Sequence, residues 1–229
     1  LIETLRAAAP WQRVRTPAAG QKIVVKSDDF RVKKFKERAR TVAIFAVDAS
    51  GSSAINRLAE AKGAIQLLLA DCYVRRDQVG LVAFRGKGAE ILLSPTHALA
   101  RAKRSLAGLP GGGPTPLACG IDAARTLAES ERRAGKLPLL VLLTDGGANM
   151  ARNGAPGRAA AAADAVAAAR ACRALGLAAL VVDTAPRPQK FVAALAGEMG
   201  AKYLALPYAD AGRLSAAVQA EGGRRGGSF

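Results

Sequence analysis

The chain has 229 residues, half of them hydrophobic, and its 34 Lys+Arg against 18 Asp+Glu give a formal charge of +16. That apolar share supports a real core and excludes wholesale disorder, and the length suits one large domain or one domain with extensions. One His and three scattered Cys exclude an ordinary zinc site, and any Ser-His-Asp triad would have to use His97.

Residues 1–40 read as a basic arm. RAAAPWQRVRTPAAG is rich in Pro, Gly and charge, and QKIVVKSDDFRVKKF alternates well enough for a short extended segment. Thr41–Val47 (TVAIFAV) is a continuous apolar run, which suits a central strand buried on both faces. Ser53–Tyr73 has helical spacing, with Ile55, Leu58, Ala61, Ile65, Leu68 and Leu69 on one side. Val79–Phe84 and Ala89–Leu93 are short apolar runs joined by RGKG, the pattern of a hairpin. His97–Leu106 is helical and stops at GLPGGGP. Pro116–Arg133 is a second helix, entered by Thr115 with a proline at the first position. Pro138–Thr144 (PLLVLLT) is another buried strand, and Gly157–Leu175 an Ala-rich helix ended by Gly176. Leu177–Val182 and Lys202–Leu206 are strands on either side of a helix over Pro188–Met199. Asp210 caps a last helix over Asp210–Gln219. Residues 221–229 (GGRRGGSF at the end) are expected to be a disordered tail.

Strand and helix alternate almost throughout 41–220. That pattern predicts an α/β domain with a doubly wound, mostly parallel sheet, helices on both faces and one antiparallel strand at an edge. Such sheets bind ligands beyond the carboxyl ends of their strands, where strand order reverses.

The charge has no nucleic-acid signature. Residues 1–40 carry eleven Lys/Arg against four Asp/Glu, so the excess is densest in the arm. DNA and RNA binders add a reading helix or stacking aromatics, and this arm has only Trp11, Phe30 and Phe35. The expected roles of the charge are a solvated face or a surface for an acidic partner. Cys72, Cys119 and Cys172 lie in apolar helical contexts and read as free thiols in a reducing cytoplasm. No stretch has the length and apolarity of a membrane span, and LIETLRAAAPW has no signal-peptide core. The chain opens without Met and is expected to be part of something longer.

Three loops follow strands or join helices at the same end of such a sheet. The first holds Asp48-Ala49-Ser50-Gly51-Ser52, the second Gly111-Gly112-Gly113-Pro114-Thr115-Pro116, and the third Thr144-Asp145-Gly146-Gly147. If the first and fourth strands flank the switch point, Asp48 and Asp145 face each other across one crevice. Two carboxylates with the hydroxyls of Ser50, Ser52 and Thr115 form an all-oxygen set, which suits a hard divalent cation, Mg2+ above all. The plainer reading is that Ser52 or Ser53 merely caps the next helix.

Asp48-x-Ser50-x-Ser52 with a later Thr115 and Asp145 resembles the metal-ion-dependent adhesion site (MIDAS) of von Willebrand A / integrin I domains. In that family the hydroxyls ligate the metal directly, the aspartates commonly act through water, and an acidic residue of a partner takes an open position. A tighter similarity runs over nearly the whole chain. IFAVDASGSSAINRLAEAKGAIQLLLADCYVRRDQVGLVAFRG, LPGGGPTPLACGIDAA, LLTDGGANMARNG, ALVVDTAPRP and AKYLALPYADA are similar to the carboxyl-terminal domain of magnesium-chelatase D subunits. So are LRAAAPWQRVR and DDFRVKKFKERA in the arm. The resemblance implies a von Willebrand A-like domain over 41–220 and a role in bacteriochlorophyll biosynthesis. The implied partners are the AAA+ ATPase subunit (I) and the porphyrin-binding subunit (H), for ATP-dependent insertion of Mg2+ into protoporphyrin IX. ATP would enter only through AAA+ domains outside this sequence, and the domain itself would not be catalytic.

Other classes stay open at this point. A related cobalt-chelatase or another AAA+-linked module would share the motif, and an enzyme with Asp48 as phosphoryl acceptor is a different class altogether. The latter usually has a second Asp where this chain has Ser50. There is no G-x-x-x-x-G-K-[ST] and no G-x-G-x-x-G after the first strand. Asp183 reads as a strand-end cap or as support for the crevice, and Asn149 as a plain loop residue or as a hydrogen-bond partner of loop backbone there. Arg75, Arg76, Arg85, Lys87, Arg101, Lys103 and Arg104 form a loose basic group near the hairpin, either a solvated face or a dock for an acidic segment.

Overall fold

The computed structural model describes residues 2–18, 20–31, 40–50, 76–108 and 111–205, with isolated positions at 70, 72, 74, 216 and 220. Most of the helices expected at Ser53–Tyr73 and Asp210–Gln219, the tail 221–229, Ser52 and Arg75 lie outside the described residues. The chain divides into two compact units, Leu1–Arg38 and Ala39–Phe229.

The first unit starts with helix α1 (Ile2–Ala8), followed by short 3-10 turns at Ala9–Arg13 and Ser27–Asp29. Backbone from Ile23 to Lys26 pairs in no described strand, and Lys26 is extended. The polar groups of Val24 are met by a side chain instead: Gln12 Nε2 donates to Val24 O (2.9 Å) and Ala8 O (2.8 Å), and Val24 N–H donates to Gln12 Oε1 (2.8 Å). Arg15 forms a two-pronged ion pair with the buried Asp29, which also accepts the Lys26 N–H at 2.8 Å. The Arg15 guanidinium holds the Asp29 carboxyl below the usual carboxylate range.

The second unit is built on a six-stranded sheet: β1 (Thr41–Asp48), β2 (Gln78–Arg85), β3 (Gly88–Thr96), β4 (Leu137–Thr144), β5 (Ala178–Asp183) and β6 (Lys202–Ala205). The spatial order is β3-β2-β1-β4-β5-β6, and every neighbouring pair is parallel except β2–β3, whose antiparallel hairpin forms one edge. β1 is paired on both sides, so TVAIFAV is buried from Val42 to Val47 and can be apolar throughout.

Helices α2 (Leu99–Ala107), α3 (Leu117–Arg133), α4 (Arg158–Ala174) and α5 (Lys190–Met199) complete the described elements. Side-chain alternation splits the core into two layers. Val42, Ile44, Ala46, Val82, Phe84, Leu140 and Leu142 pack under α3, α4 and α5. Ala43, Phe45, Val47, Leu81, Ala83, Val141 and Leu143 lie on the other face with Ala102 of α2 and Cys72. Helix α4 buries Ala161, Ala165, Ala168, Ala169 and Cys172, a stripe at helical spacing. Burial pushes the Cys172 thiol up to about 12, which leaves it an inert packing group. Gly200, at φ 67°, ends α5 in the left-handed conformation that turns the chain into β6. No helix among the described residues is long and apolar enough to cross a membrane.

Candidate metal centre

Strand order reverses between β1 and β4, and the crevice at their carboxyl ends holds the site. Asp48 is the last residue of β1 and stands level with Phe84 of β2. Its Oδ1 accepts the Ser50 N–H (3.0 Å) and the Ser50 hydroxyl (2.6 Å), and its Oδ2 accepts the Thr144 hydroxyl (3.0 Å). Ser50 Oγ is also hydrogen-bonded to Thr115 Oγ1. With the Ser50 proton given to Asp48, Thr115 donates, so the order runs Thr115 to Ser50 to Asp48. Ser50, Thr115 and Thr144 are all buried.

Thr115 was expected to enter α3, but it makes no capping bond, and the helix begins at Leu117 after Pro116. Its hydroxyl is drawn to Ser50 and its backbone is tied to the third loop. Thr115 N–H donates to Asn149 Oδ1 (2.7 Å), and Thr115 O accepts the Asn149 N–H (3.2 Å) and the Met150 N–H (3.3 Å). Asn149 thus holds loop backbone at the crevice, one of its two expected roles. The glycine-rich loop is anchored twice more, by Gly112 N–H on Ala49 O (3.0 Å) and by Gly86 N–H on Pro114 O (2.7 Å).

Asp145 follows β4, and its Oδ1 accepts the Gly147 N–H at 3.0 Å. A Cβ built on Gly147 would stand 3.0 Å from Asp145 Oδ1 and 3.8 Å from Thr115 Oγ1, so carboxylate and hydroxyl border the same small space. Gly146 has φ 79°, and a Cβ there would meet Val192 Cγ2 at 2.6 Å; only glycine lets the chain turn so close to α5. Farther along the loop, Arg152 donates to both oxygens of Asp122 on α3 (2.8 and 3.1 Å), and its N–H donates to Asp164 of α4 (2.8 Å).

Burial raises the Asp48 carboxyl to about 6, and the nearby charge of Asp145 adds to that, against the hydrogen bonds from Ser50 and Thr144. A crevice that strains to hold two negative charges, and lines them with hydroxyl oxygens, has the donor chemistry of a hard divalent cation site. The structure therefore brings Asp48, Ser50, Thr115 and Asp145 together; Ser52 falls outside the described residues. Thr144 is a further participant. Its signal was a hydroxyl ending an otherwise apolar strand, visible in PLLVLLT. Asp183 belongs elsewhere: fully buried, it accepts the Ala185 and Gln189 N–H groups and the Tyr203 hydroxyl, as a strand-end cap does.

The von Willebrand factor type A domain family matches residues 43–148, a span that includes every described residue of this cluster. The chain has the von Willebrand A fold. Residues 2–35 match a second family, the AAPxQ domain, and Ala8-Ala9-Pro10-Trp11-Gln12 spells its motif, with Gln12 the residue that binds Val24. Along its length the chain is homologous to magnesium-chelatase subunits. It is 52% identical to the magnesium-chelatase 60 kDa subunit of Cereibacter sphaeroides over 94% of this chain and 39% of that protein. It is 40% identical to the 67 kDa subunit of Chlorobaculum parvum over 92% of this chain and 37% of that one. The chain thus spans about two fifths of the length of these relatives. Among solved structures, the von Willebrand domain of the type V pili tip protein Mfa5 from Porphyromonas gingivalis shares the fold. Its TM-score is 0.62 at 12% identity, over 80% of this chain and 95% of that one.

Proposed function

We propose that this von Willebrand A domain is the Mg2+-binding interaction module of a magnesium-chelatase subunit. Asp48, Ser50, Thr115 and Asp145 hold the ion, with Ser52 as the fifth oxygen donor. The convergence of two carboxylates and two buried hydroxyls at the β1–β4 switch point supports this reading. Bound Mg2+ would supply a Lewis-acid position open to a partner's carboxylate. The residues themselves supply orientation: Asn149 fixes Thr115, and Thr144 and Ser50 fix Asp48. The domain then contributes assembly and no chemistry of its own.

The chelatase names of the relatives support the whole-protein role: an assembly with an AAA+ ATPase subunit and a porphyrin-binding subunit that inserts Mg2+ into protoporphyrin IX with ATP. We place that assembly in the cytoplasm, where the thiols of Cys72, Cys119 and Cys172 would stay reduced.

A melt with and without millimolar MgCl2 at fixed ionic strength tests the metal. The midpoint rises with Mg2+ by mass action, and Asp145→Ala abolishes the rise while the protein stays folded. An unmoved wild-type midpoint sinks the metal assignment. A pull-down with the ATPase and porphyrin-binding subunits, with Mg2+ or with EDTA, tests the partners; equal capture in both sinks the metal's role in assembly.

A further inference from the structure

The fold carries two members of the basic group that the sequence leaves as a loose cluster, Arg85 and Lys87, to the rim of the metal crevice. Residues 78–108 carry Arg85, Lys87, Arg101, Lys103 and Arg104 against a single acid, Glu90. Asp48 stands level with Phe84, and Ala49 N–H donates to Phe84 O at 3.1 Å, so Arg85 leaves its strand at the rim of the site. Adjacent strands lie about 4.8 Å apart. Arg85 and Lys87 flank Gly86, whose N–H is bound to Pro114 O, one residue before Thr115. A Cβ on Gly113 would stand 3.6 Å from Gly86, so the hairpin tip rests directly on the loop that carries Thr115. Alternation along β2 puts Arg85 on the same face as Ala83 and Leu81, the face that α2 covers with Ala102. There α2 exposes Arg101, Lys103 and Arg104. Among the described residues none of these five cations has a carboxylate partner.

Cations beside a cation site oppose the metal unless something anionic joins both. We propose that the hairpin tip and the exposed face of α2 are a docking surface for an acidic protein segment. One carboxylate of that segment completes the Mg2+ site, and its neighbours pair with Arg85, Lys87 and the α2 cations. This inference rests on the metal assignment above and adds the partner's chemistry: a run of Asp/Glu rather than one isolated acid. Acidic segment and Mg2+ then bind with positive coupling, each tightening the other.

The test uses the whole chain and a fluorescein-labelled (Glu-Ala)6 peptide, read by anisotropy with Mg2+ or EDTA. Arg85→Glu/Lys87→Glu is compared with Arg133→Glu/Lys202→Glu, an equal charge change at the opposite end of α3 and β6. Arg101→Glu/Arg104→Glu repeats the test on α2, and each variant is melted to confirm folding. The hairpin and α2 variants are expected to bind about tenfold more weakly, with a shallower salt dependence, and the control within about twofold of wild type. Equal loss in all three pairs, or none in the hairpin and α2 pairs, overturns the docking surface. Loss in those two pairs without any Mg2+ enhancement in wild type keeps the surface and overturns the metal's part in it. Mg2+ enhancement that survives both charge reversals keeps the metal and overturns the surface.

Discussion

Asp48 carries the sharpest consequence at the scale of single residues. The folded state holds its proton up to about pH 6, whereas the ordinary value is 3.8. Between those values the folded chain binds more protons than the unfolded one, so this group makes the metal-free domain less stable as pH rises through the window. Asp48→Asn removes the effect. In urea titrations at pH 5 and pH 7 the wild type should lose stability relative to Asp48→Asn on going to pH 7; parallel behaviour would refute the buried charge. At the proposed Mg2+ site the same proton would compete with the ion, so the Mg2+-dependent rise in midpoint should shrink below about pH 6. Gly146 gives a second residue-scale test. Alanine there combines φ 79° with a 2.6 Å contact to Val192, and we expect Gly146→Ala to destabilise by about 1–3 kcal/mol in a urea melt.

Among the elements, α3 shows packing overriding propensity. Gly120 lies inside this helix, where alanine is intrinsically better by about 1 kcal/mol. A Cβ on Gly120 would lie 2.3–2.8 Å from the ring carbons of Phe84, and overpacking costs about 1–3 kcal/mol. Gly120→Ala is therefore expected to destabilise, read as a lower urea midpoint at unchanged m; a higher midpoint would show that Phe84 can move aside. The loop from Asp145 to Gly157 gives the complementary case. Arg152 ties it to α3 through a partly exposed ion pair with Asp122, worth about 1 kcal/mol or less, and to α4 through its backbone N–H. Arg152→Ala should barely shift the melting midpoint yet raise the Mg2+ concentration needed for half-maximal stabilisation several-fold, because Asn149 and Asp145 ride on that loop.

On the scale of the whole molecule, the two units differ in what holds them. Both hydrophobic clusters lie between Val42 and Met199, so residues 39–229 contain the entire layered core of the described structure. The first unit relies on Gln12, the Arg15–Asp29 pair and a few buried positions, and it exposes Ile2, Trp11, Val14, Ile23 and Phe30. A 38-residue unit lies below the size at which a domain usually folds without help. Residues 39–229 expressed alone are therefore expected to unfold cooperatively and keep the Mg2+ response. Circular dichroism showing no cooperative melt would mean the second unit cannot stand by itself.

Much of this architecture was legible in the sequence because its signals are local. Continuous apolar runs such as TVAIFAV and PLLVLLT suit strands buried on both faces, and RGKG between two short runs suits a hairpin turn, as the sheet has them. Asp48, Ser50, Thr115 and Asp145 were legible as a spaced set of oxygen donors at the ends of those elements. Hydrogen bonds between residues far apart in the chain were not legible, since periodicity carries no information on them. Only the fold draws the Thr115 hydroxyl from capping α3 to Ser50, brings Asn149 beneath the Thr115 backbone, and rests the Arg85–Lys87 hairpin tip on Pro114. The sequence by itself determined which elements exist and which side chains could form a hard-oxygen site, because propensity and residue chemistry act locally. The tertiary structure alone decided that the site is buried, that Asp48 holds its proton to about 6, and that the basic hairpin borders it. Burial, charge proximity and loop contacts are properties of packed neighbours, and those neighbours come from strands and loops distant in the chain.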